Sequence, residues 1–433
     1  MGSMTIFLII SVVFIILLLV GMPIAFALGI TSVLWLFVTD QNLIIVGAKL
    51  YSGLDSFIFM AIPLFVLAGE IMNKTNITDS LIKFINVLIG GFRGALAQAN
   101  VYTSLLFAGL TGAAISDVSA IGSIYIPAMS KQGYKPAFAA AITATSSIVG
   151  PIIPPSIIMV MYGGITGVSI GALFAGAIIP GIMIGVGQSI YLLLIAKKKN
   201  FPKSKIKVTP KEFLISFRNA LVAIIMPFII LGGLIFGIFT PTEAAAVAVA
   251  YAMLVGFVLF RSLKVHDLYG LFRNTVRVSG MLFFIIASAN ILGWVISRVN
   301  LPEHLTNSLM AVTGQSANMS MVIIILFLLF VGTWMECGAA TVVIAPIIAP
   351  IAATLGFHPV HFGITMCVAL NIGLVTPPLG VCLFAAAGIS GCSFEEIVKE
   401  AWLIILMMIV SLFLIAFLPE LTLMIPRKLG LIV

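Results

Sequence analysis

Long apolar stretches separated by short polar loops run through almost the whole of this 433-residue chain. Hydrophobic residues make up 61% of it and charged residues 8%, whereas a soluble domain is about half apolar and about a quarter charged. A soluble chain of this composition would lack the polar side chains needed to cover its surface. The sequence therefore predicts an all-α polytopic membrane protein with the lipid bilayer as its solvent.

Lysine and arginine residues crowd one central loop. Residues 197–219 contain eight of them and a single acid, Glu212. Because cytoplasmic loops are enriched in lysine and arginine, this loop is predicted to face the cytoplasm. Counting apolar spans away from it places both termini outside. The net charge of +8 comes mainly from loops of this kind, so the sequence indicates no nucleic-acid partner.

The two halves of the chain carry the same glycine and proline landmarks in the same order, at an offset of roughly 218 to 223 residues. Gly133–Pro136 recurs as Gly356–Pro359, and Pro154-Pro155 recurs as Pro377-Pro378. An odd number of crossings separates equivalent positions, so the halves are predicted to be inverted in the membrane.

The predicted segments follow from these landmarks and from the apolar stretches. The first repeat covers 4–196 and contains spans, an arm helix, a hairpin at 94–131, a broken helix at 135–165 and a span at 168–196. A basic cytoplasmic linker at 197–219 follows it. The second repeat covers 220–418, with spans, a hairpin at 317–354, a broken helix at 360–388 and a span at 398–418, and a tail follows at 419–433.

Each predicted hairpin has two apolar arms around a centre of small and polar residues. The centre of the first hairpin is 111–119. The basic residues Arg93 and Lys131 flank this hairpin and place both of its ends on the cytoplasmic side. The second centre is 332–341, and its hairpin enters from outside. These segments are therefore predicted to be re-entrant rather than spanning.

A span with consecutive prolines in its middle follows each hairpin, at Pro154-Pro155 and at Pro377-Pro378. Two adjacent prolines remove two amide donors, so each helix is expected to unwind there. Unwound carbonyls and nearby hydroxyls suit a dehydrated Na⁺, and the ends of the half-helices suit a carboxylate. The alternative is that both breaks are kinks that serve packing alone.

Five charged or titratable positions need an interpretation of their own. Asp117 and Glu336 at the hairpin centres either support cation sites or pin the tips by hydrogen bonds. Glu243 is interpreted as favouring a helix start capped by Thr240 or Thr242. His358 and His361 are expected to face solvent, with a proton relay as the alternative.

Several sequence patterns of other protein classes are missing. The chain has no GxxxxGK[ST] loop for ATP and no HExxH or GxSxG motif, so an enzyme is not indicated. Its four cysteines show no metal-binding spacing and are interpreted as small hydrophobic residues.

Three motifs resemble the large membrane subunit of TRAP (tripartite ATP-independent periplasmic) transporters: Phe239–Ala245 (FTPTEAA), Ile62–Gly69 (IPLFVLAG) and Val149–Ser156 (VGPIIPPS). The resemblance implies Na⁺-gradient-driven import of a carboxylate-bearing solute, of the sialic acid or C4-dicarboxylate class, by an elevator-like motion. It also implies a periplasmic solute-binding protein and a small four-helix membrane subunit as partners. The membrane is then a bacterial inner membrane, and both termini and the tail at 419–433 are periplasmic. The alternative is a stand-alone ion-coupled anion symporter or antiporter without a binding protein.

Carried over to this chain, the hairpin centres and the breaks become two sodium sites with the substrate between them, so two or more Na⁺ ions are expected. The first predicted site consists of Ser116, Asp117, Ser119, Ser146, Ser147, Gly150 and Pro151. The second consists of Gly332, Gly338, Thr341, Asn371, Gly373, Thr376 and Pro377. The predicted substrate contacts are Ser116, Thr145, Gly338 and Thr376.

Overall fold

The structure is a computed structural model, and it describes residues 3–75, 77–202 and 209–432. Within these ranges almost all of the chain is α-helical. Eight helical segments there are long and apolar enough to cross a membrane. The protein is therefore an all-α polytopic membrane protein, as the composition predicts.

Among its described residues, the first half contains ten α-helices and one 3₁₀ turn, Phe57–Met60. The helices are α1 (Ser3–Leu19), α2 (Ile24–Val38), α3 (Ile44–Leu54), α4 (Ala61–Lys74), α5 (Ile77–Ile89), α6 (Ala95–Thr111), α7 (Ala114–Lys131), α8 (Pro136–Ser147), α9 (Ile157–Thr166) and α10 (Ile170–Lys198).

The second half, over residues 209–432, contains ten further helices, and a π-helical turn, Val255–Leu259, continues the second of them. They are α11 (Pro210–Ile235), α12 (Pro241–Leu254), α13 (Val265–Arg298), α14 (Leu301–Val312), α15 (Ala317–Trp334), α16 (Cys337–Thr354), α17 (Pro359–Gly373), α18 (Val381–Ser390), α19 (Phe394–Phe417) and α20 (Glu420–Lys428).

Corresponding helices begin at corresponding residues in the two halves. Helices α7 and α16 each have 18 residues, and an offset of 223 separates their first residues, Ala114 and Cys337. The same offset separates the prolines that open α8 and α17, Pro136 and Pro359. Proline suits the first turn because that turn leaves its amides unbonded in any case. The fold is thus an inverted-topology repeat with two re-entrant hairpins and two discontinuous helices.

The two hairpins turn at their tips in different ways. In hairpin 1 (α6 and α7), Gly112 ends α6 in the left-handed conformation with φ 62°, which glycine adopts without strain. In hairpin 2 (α15 and α16), Met335 is extended and Glu336 begins α16, where its Oε2 accepts a hydrogen bond from the Ala339 amide at 3.0 Å. Each tip therefore ends one helix and starts another within a few residues.

Both broken helices unwind at their prolines. Helices α8 and α9 are separated by residues 148–156, and α17 and α18 by residues 374–380. The hydroxyl of Ser156 restarts the first helix by accepting from the Met159 amide at 3.3 Å. Helices α8 and α17 are buried on nearly all sides, because small and apolar residues surround each of them.

The start of α12 contains the cap that the sequence suggests. Thr240 Oγ1 accepts from the Glu243 amide at 3.3 Å, and Glu243 Oε2 accepts from the Thr240 amide at 2.8 Å. This reciprocal capping box makes Thr240 the cap. Thr242 instead donates its hydroxyl to the Phe57 carbonyl at 2.9 Å and ties α12 to the 3₁₀ turn.

Helical structure extends into the predicted linker. Helix α10 continues to Lys198 and α11 begins at Pro210. Residues 203–208, with three of the predicted linker's lysines, lie outside the described residues. The part of the linker that follows α10 is fixed to hairpin 1, because the Gly94 amide donates to the Pro202 carbonyl at 3.1 Å.

The expectation that His361 faces solvent is wrong. This residue lies inside α17 and is 1% exposed. Its Nδ1 is 2.8 Å from Thr422 Oγ1, and its Nε2 is 3.0 Å from the Ala416 carbonyl oxygen. The reason is that much of the predicted tail forms α20, which packs against α10 and α17 and covers the imidazole.

Candidate substrate and cation site

A cavity of about 230 Å³ lies between the two hairpin tips. Its walls are the tip of hairpin 1, the tip of hairpin 2, the start of α9, the end of α17, and parts of α4 and α13. We call it the central cavity. The cavity therefore combines both hairpin tips with one further helix from each half of the chain, α4 from the first half and α13 from the second.

Three helix N-termini contribute to the walls of the central cavity. They belong to α7, α9 and α16, represented by Ala114, Ile157 and Cys337. Ser156 caps α9 and Glu336 caps α16, but α7 has no side-chain cap. Amides in the first turn of a helix lack partners within that helix and form the positive end of its dipole. The cavity is thus suited to an anion, above all at the start of α7.

The charged side chains in the cavity wall are both acidic. Glu70 on α4 is half-buried, and Glu336 at the tip of hairpin 2 is exposed. No lysine, arginine or histidine is among the described residues that line the cavity. Any carboxylate bound here must therefore be held by amides, hydroxyls and cations instead of by a basic side chain.

The α4 wall of the cavity lies toward the end of the molecule with most of the basic loops. Glu70 and Asn73 are in the last turns of α4, just before Lys74. The Lys74 Nζ is 3.3 Å from Asp267 Oδ1 at the start of α13, which follows the basic residues Arg261 and Lys264. This end is the one that the lysine and arginine pattern predicts to be cytoplasmic.

The first predicted cation cluster is partly assembled in the structure. Asp117 is fully buried, and its carboxylate lies against Gly150, where an added Cβ would be 3.2 Å from the Asp117 Cγ. The buried hydroxyl of Ser146 is 2.8 Å from that of Ser104 on α6. Ser147, also buried, donates its hydroxyl to the Ala144 carbonyl at 2.8 Å.

The other members of this cluster lie elsewhere. Ser116 and Pro151 line the central cavity between the hairpin tips. Ser119 is exposed, and its hydroxyl donates to the Ile115 carbonyl of its own helix at 3.0 Å. The structure therefore brings Asp117 to Gly150 but turns Ser119 away from both the break and the cavity.

The second predicted cluster centres on a close backbone contact. An added Cβ on Gly332 would lie 3.0 Å from the Gly373 Cα, so hairpin 2 and α17 meet there without side chains. Asn371 Oδ1 accepts from Cys337 Sγ at 3.4 Å, and its Nδ2 donates to the Cys367 carbonyl at 2.7 Å. Thr341 Oγ1 is buried and has no hydrogen-bond partner among the described residues.

The remaining residues of this cluster are less central. Gly338 lines the central cavity, and Pro377 is exposed. Thr376 is half-buried and donates its hydroxyl to the Ile372 carbonyl at 2.8 Å. The hydroxyl proton of Thr376 is therefore already hydrogen-bonded at the end of its own helix.

Two of the four predicted substrate contacts line the central cavity, namely Ser116 and Gly338. Thr145 and Thr376 are not among the residues that line it. Thr145 is buried within α8, where its hydroxyl donates to the Ala141 carbonyl at 2.8 Å. Such bonding to the preceding turn is usual for threonine inside a helix.

The sequence did not identify the side of the cavity that α4 and α13 form. Glu70 and Asn73 on α4, and Val278 and Leu282 on α13, line it. The signal for Glu70 was present, because an acid directly after the apolar stretch Ile62–Gly69 is costly in a membrane unless it has a function or a partner. No comparable signal marks the apolar residues of α13.

The donor set around the breaks fits a sodium ion. It offers the buried Asp117 carboxylate, the unpartnered Thr341 hydroxyl and carbonyl oxygens from two unwound segments. Oxygen ligands from unwound backbone and hydroxyls are those used for Na⁺ at the midplane of secondary transporters. By contrast, no group of three or more His, Cys, Asp or Glu side chains among the described residues is placed to hold a metal ion.

An inverted repeat with two hairpin tips and two broken helices around one anion-suited cavity defines a secondary transporter. A family model described as "Tripartite ATP-independent periplasmic transporter, DctM component" matches residues 11–421. The chain therefore belongs to the family of TRAP transporter large permease subunits, which are transport proteins and not enzymes.

Named relatives agree with this family. The chain is 33% identical to the sialic acid TRAP transporter large permease protein SiaM of Vibrio cholerae, over 95% of this chain and 96% of the relative. It is 36% identical to the C4-dicarboxylate TRAP transporter large permease protein DctM of Pseudomonas aeruginosa, over 88% of this chain and 89% of the relative. The family implies a small membrane subunit and a periplasmic binding protein as partners.

Among solved structures, the chain is similar to the YdaH transporter of Alcanivorax borkumensis, whose crystal structure reveals an unusual topology. The TM-score is 0.60 at 12% identity, over 86% of each chain. At this identity the likeness concerns the fold alone.

Proposed function

We propose that this protein imports a carboxylate-bearing solute across the bacterial inner membrane, driven by a Na⁺ gradient, as the transport subunit of a tripartite transporter. The observation that carries the proposal is the convergence of three helix N-termini and both hairpin tips on the central cavity. An anion is stabilised by such N-termini without a basic side chain. The solute is of the sialic acid or C4-dicarboxylate class that the two named relatives transport.

The solute carboxylate would bind at the start of α7. This is the cavity-lining N-terminus without a side-chain cap, and the exposed hydroxyl of Ser116 adds a further donor there. Gly338 at the tip of hairpin 2 would let the opposite part of the solute approach the backbone.

Sodium ions would be held behind the two tips. Asp117 beside Gly150 would contribute to the first ion, and Thr341 with backbone oxygens near Gly332 and Gly373 to the second. Bound Na⁺ would supply positive charge that favours the solute anion. Because each site draws on a hairpin tip, ion binding and the shape of the cavity would be coupled.

Alternating access would follow an elevator-like motion. The hairpins and broken helices pack on one another, with α7 on α8, α15 on α17, α16 on α9 and α18 on α8. Helix α4 packs mainly on α12, and α13 on α2 and α3. The central cavity lies at the boundary between these two groups, where a sliding motion would carry the solute past α4 and α13. The small membrane subunit would hold the second group (α2, α3, α4, α12 and α13) in a fixed position in the membrane.

The alternative is a stand-alone anion symporter or antiporter that shares the repeat but needs no binding protein. The similarity to the YdaH transporter concerns the fold and does not separate the two cases. The two named relatives are large permease proteins of TRAP transporters, and this favours the tripartite system.

Uptake into liposomes tests the proposal. The chain and its small subunit are reconstituted together, and uptake of labelled N-acetylneuraminate and succinate is followed with and without the binding protein and an inward Na⁺ gradient. The proposal predicts uptake of at least one of them that requires both. Uptake undiminished without Na⁺, or responsive to protons alone, would contradict sodium coupling. Uptake undiminished without the binding protein would favour the stand-alone transporter.

A further inference from the structure

Two carboxylates, Glu70 and Glu336, line the central cavity, and no described residue with a basic side chain does. They belong to separate elements, since Glu70 is on α4 and Glu336 is at the tip of hairpin 2. The uncapped start of α7 forms another part of the wall. The cavity is therefore electrostatically uneven, with an end that favours one negative charge and walls that disfavour a second.

Each of these carboxylates uses one oxygen in a hydrogen bond within the protein. Glu336 Oε2 accepts from the Ala339 amide at 3.0 Å, and Glu70 Oε1 accepts from Asn274 Nδ2 at 2.7 Å. Neither Glu336 Oε1 nor Glu70 Oε2 has a hydrogen-bond partner among the described residues. An ionised carboxylate can only accept hydrogen bonds. The free oxygens thus require donors from the solute or from water.

A second solute charge would lie in the same cavity as the two acids. Ala114 and Ser116 at the start of α7 line this cavity together with Glu70 and Glu336, and partly buried charges are screened less by salt than exposed ones. A dicarboxylate with one end at α7 would place its other end near Glu70 or Glu336, where like charges repel. A hydroxyl or N–H group at the same place would instead donate to a free carboxylate oxygen.

We propose that Glu70 and Glu336 make the central cavity selective for monocarboxylates whose far end carries hydroxyl or N–H donors, and that they reject dicarboxylates. The proposal rests on the proposed function, because it takes the central cavity as the carboxylate site. It deepens that function by choosing between two chemical classes of solute. The bound Na⁺ ions would favour either class, so the choice is made by the two acids.

The competing explanation is that both acids serve structure alone. Glu336 caps α16, and Glu70 holds α13 through Asn274. Replacement by glutamine separates the two explanations, since an amide oxygen still accepts these hydrogen bonds but carries no charge. A purely structural role would then leave the preference among solutes unchanged.

The test measures binding to the membrane complex of this chain and its small subunit in detergent with Na⁺. The binding protein is left out because it has a preference of its own. Three probes are compared by calorimetry or by thermal stabilisation: gluconate, butyrate and succinate. They represent a polyhydroxy monocarboxylate, a plain monocarboxylate and a C4-dicarboxylate. The variants are Glu70→Gln, Glu336→Gln and, as a matched control, Glu395→Gln, an exposed acid on α19.

In the wild type we expect gluconate to bind at least roughly fivefold more tightly than succinate, the effect of one like-charge pair at contact distance in water. Each cavity variant should reduce this ratio by a similar factor, mainly through tighter binding of succinate. Glu395→Gln should leave it unchanged. Succinate binding as tightly as gluconate to the wild type, or a ratio unmoved in both cavity variants, would overturn the selectivity while the carboxylate site stands. If none of the probes binds in Na⁺, the inference fails, whereas the proposed function is decided separately by the uptake of N-acetylneuraminate and succinate.

Discussion

The carboxylate of Asp117 at the tip of hairpin 1 lies directly against the backbone of Gly150 in the first broken helix. Asp117 is fully buried, and any side chain at position 150 would collide with it. A buried carboxylate is stable only when its charge is compensated by hydrogen bonds, by a charged partner or by an ion. This contact joins a hairpin tip to an unwound segment, where a coupling ion is expected.

Removal of this carboxylate should weaken sodium coupling. We expect Asp117→Ala to raise the Na⁺ concentration for half-maximal uptake by roughly tenfold or more, because a charged ligand is lost. Asn371→Ala at the second break should raise it less, since a neutral amide is lost there. Na⁺ titrations of uptake in liposomes measure both. An unchanged Na⁺ dependence in folded, partner-bound Asp117→Ala would show that the carboxylate only pins the hairpin tip.

The close contact between Gly332 and Gly373 should tolerate no side chain. An added Cβ on Gly332 would lie 2.5 Å from the Leu370 carbonyl oxygen, and overpacking of this kind costs about 1–3 kcal/mol. We therefore expect Gly332→Ala to lower the Tm of the purified complex. Gly280→Ala on α13 is the control, because an added Cβ meets no atom within 4 Å there. Equal Tm values for the two variants would contradict the packing described here.

The capping box at the start of α12 should contribute to stability but not to ion binding. Thr240→Ala removes the acceptor for the Glu243 amide and is expected to cost about 1 kcal/mol, whereas Thr240→Ser keeps it. Thermal unfolding of the two variants measures the difference. Their Na⁺ dependence of uptake should be the same as that of the wild type. A shift in that dependence for Thr240→Ala alone would place this helix start in the coupling machinery.

The large subunit should not transport without its small partner. Large apolar side chains are exposed on α1 and α11, with Leu19 at 73% and Phe228 at 70%. We expect the small subunit to cover part of 5–38 and 220–260 and to hold these helices as a fixed frame. Uptake by liposomes that contain this chain and the binding protein is compared with uptake by the complete system. Equal rates would contradict a requirement for the frame.

Much of the hairpin and broken-helix architecture could be predicted because local residues specify it. Small and polar residues interrupt the apolar arms at 111–119 and 332–341, and consecutive prolines cannot continue a helix. The inverted arrangement followed from the same landmarks. These features need no knowledge of which helices pack together.

The walls of the central cavity depend on packing between distant segments and could not be predicted in the same way. Helices α4 and α13 come from different halves, and nothing local in α13 marks Val278 or Leu282 as cavity residues. The burial of His361 depends on α20 folding back over α17, which the sequence of a short terminal segment does not reveal. The predicted substrate contact of Thr145 stays a prediction, and in the structure its hydroxyl donates to the Ala141 carbonyl of its own helix.

The central claim is that the solute and Na⁺ bind together in the cavity between the hairpin tips, and a labelling measurement tests it most directly. In a background with the four native cysteines replaced by alanine, Ser116→Cys reports on the cavity. Ser123→Cys, an exposed position further along α7, is the control. Alkylation of the detergent-solubilised complex by N-ethylmaleimide is timed with Na⁺, with gluconate or succinate, and with Na⁺ and a probe together. We predict that a probe with Na⁺ slows labelling of Ser116→Cys much more than either alone, and leaves Ser123→Cys unaffected. Labelling of Ser116→Cys at the same rate under all conditions would contradict the account.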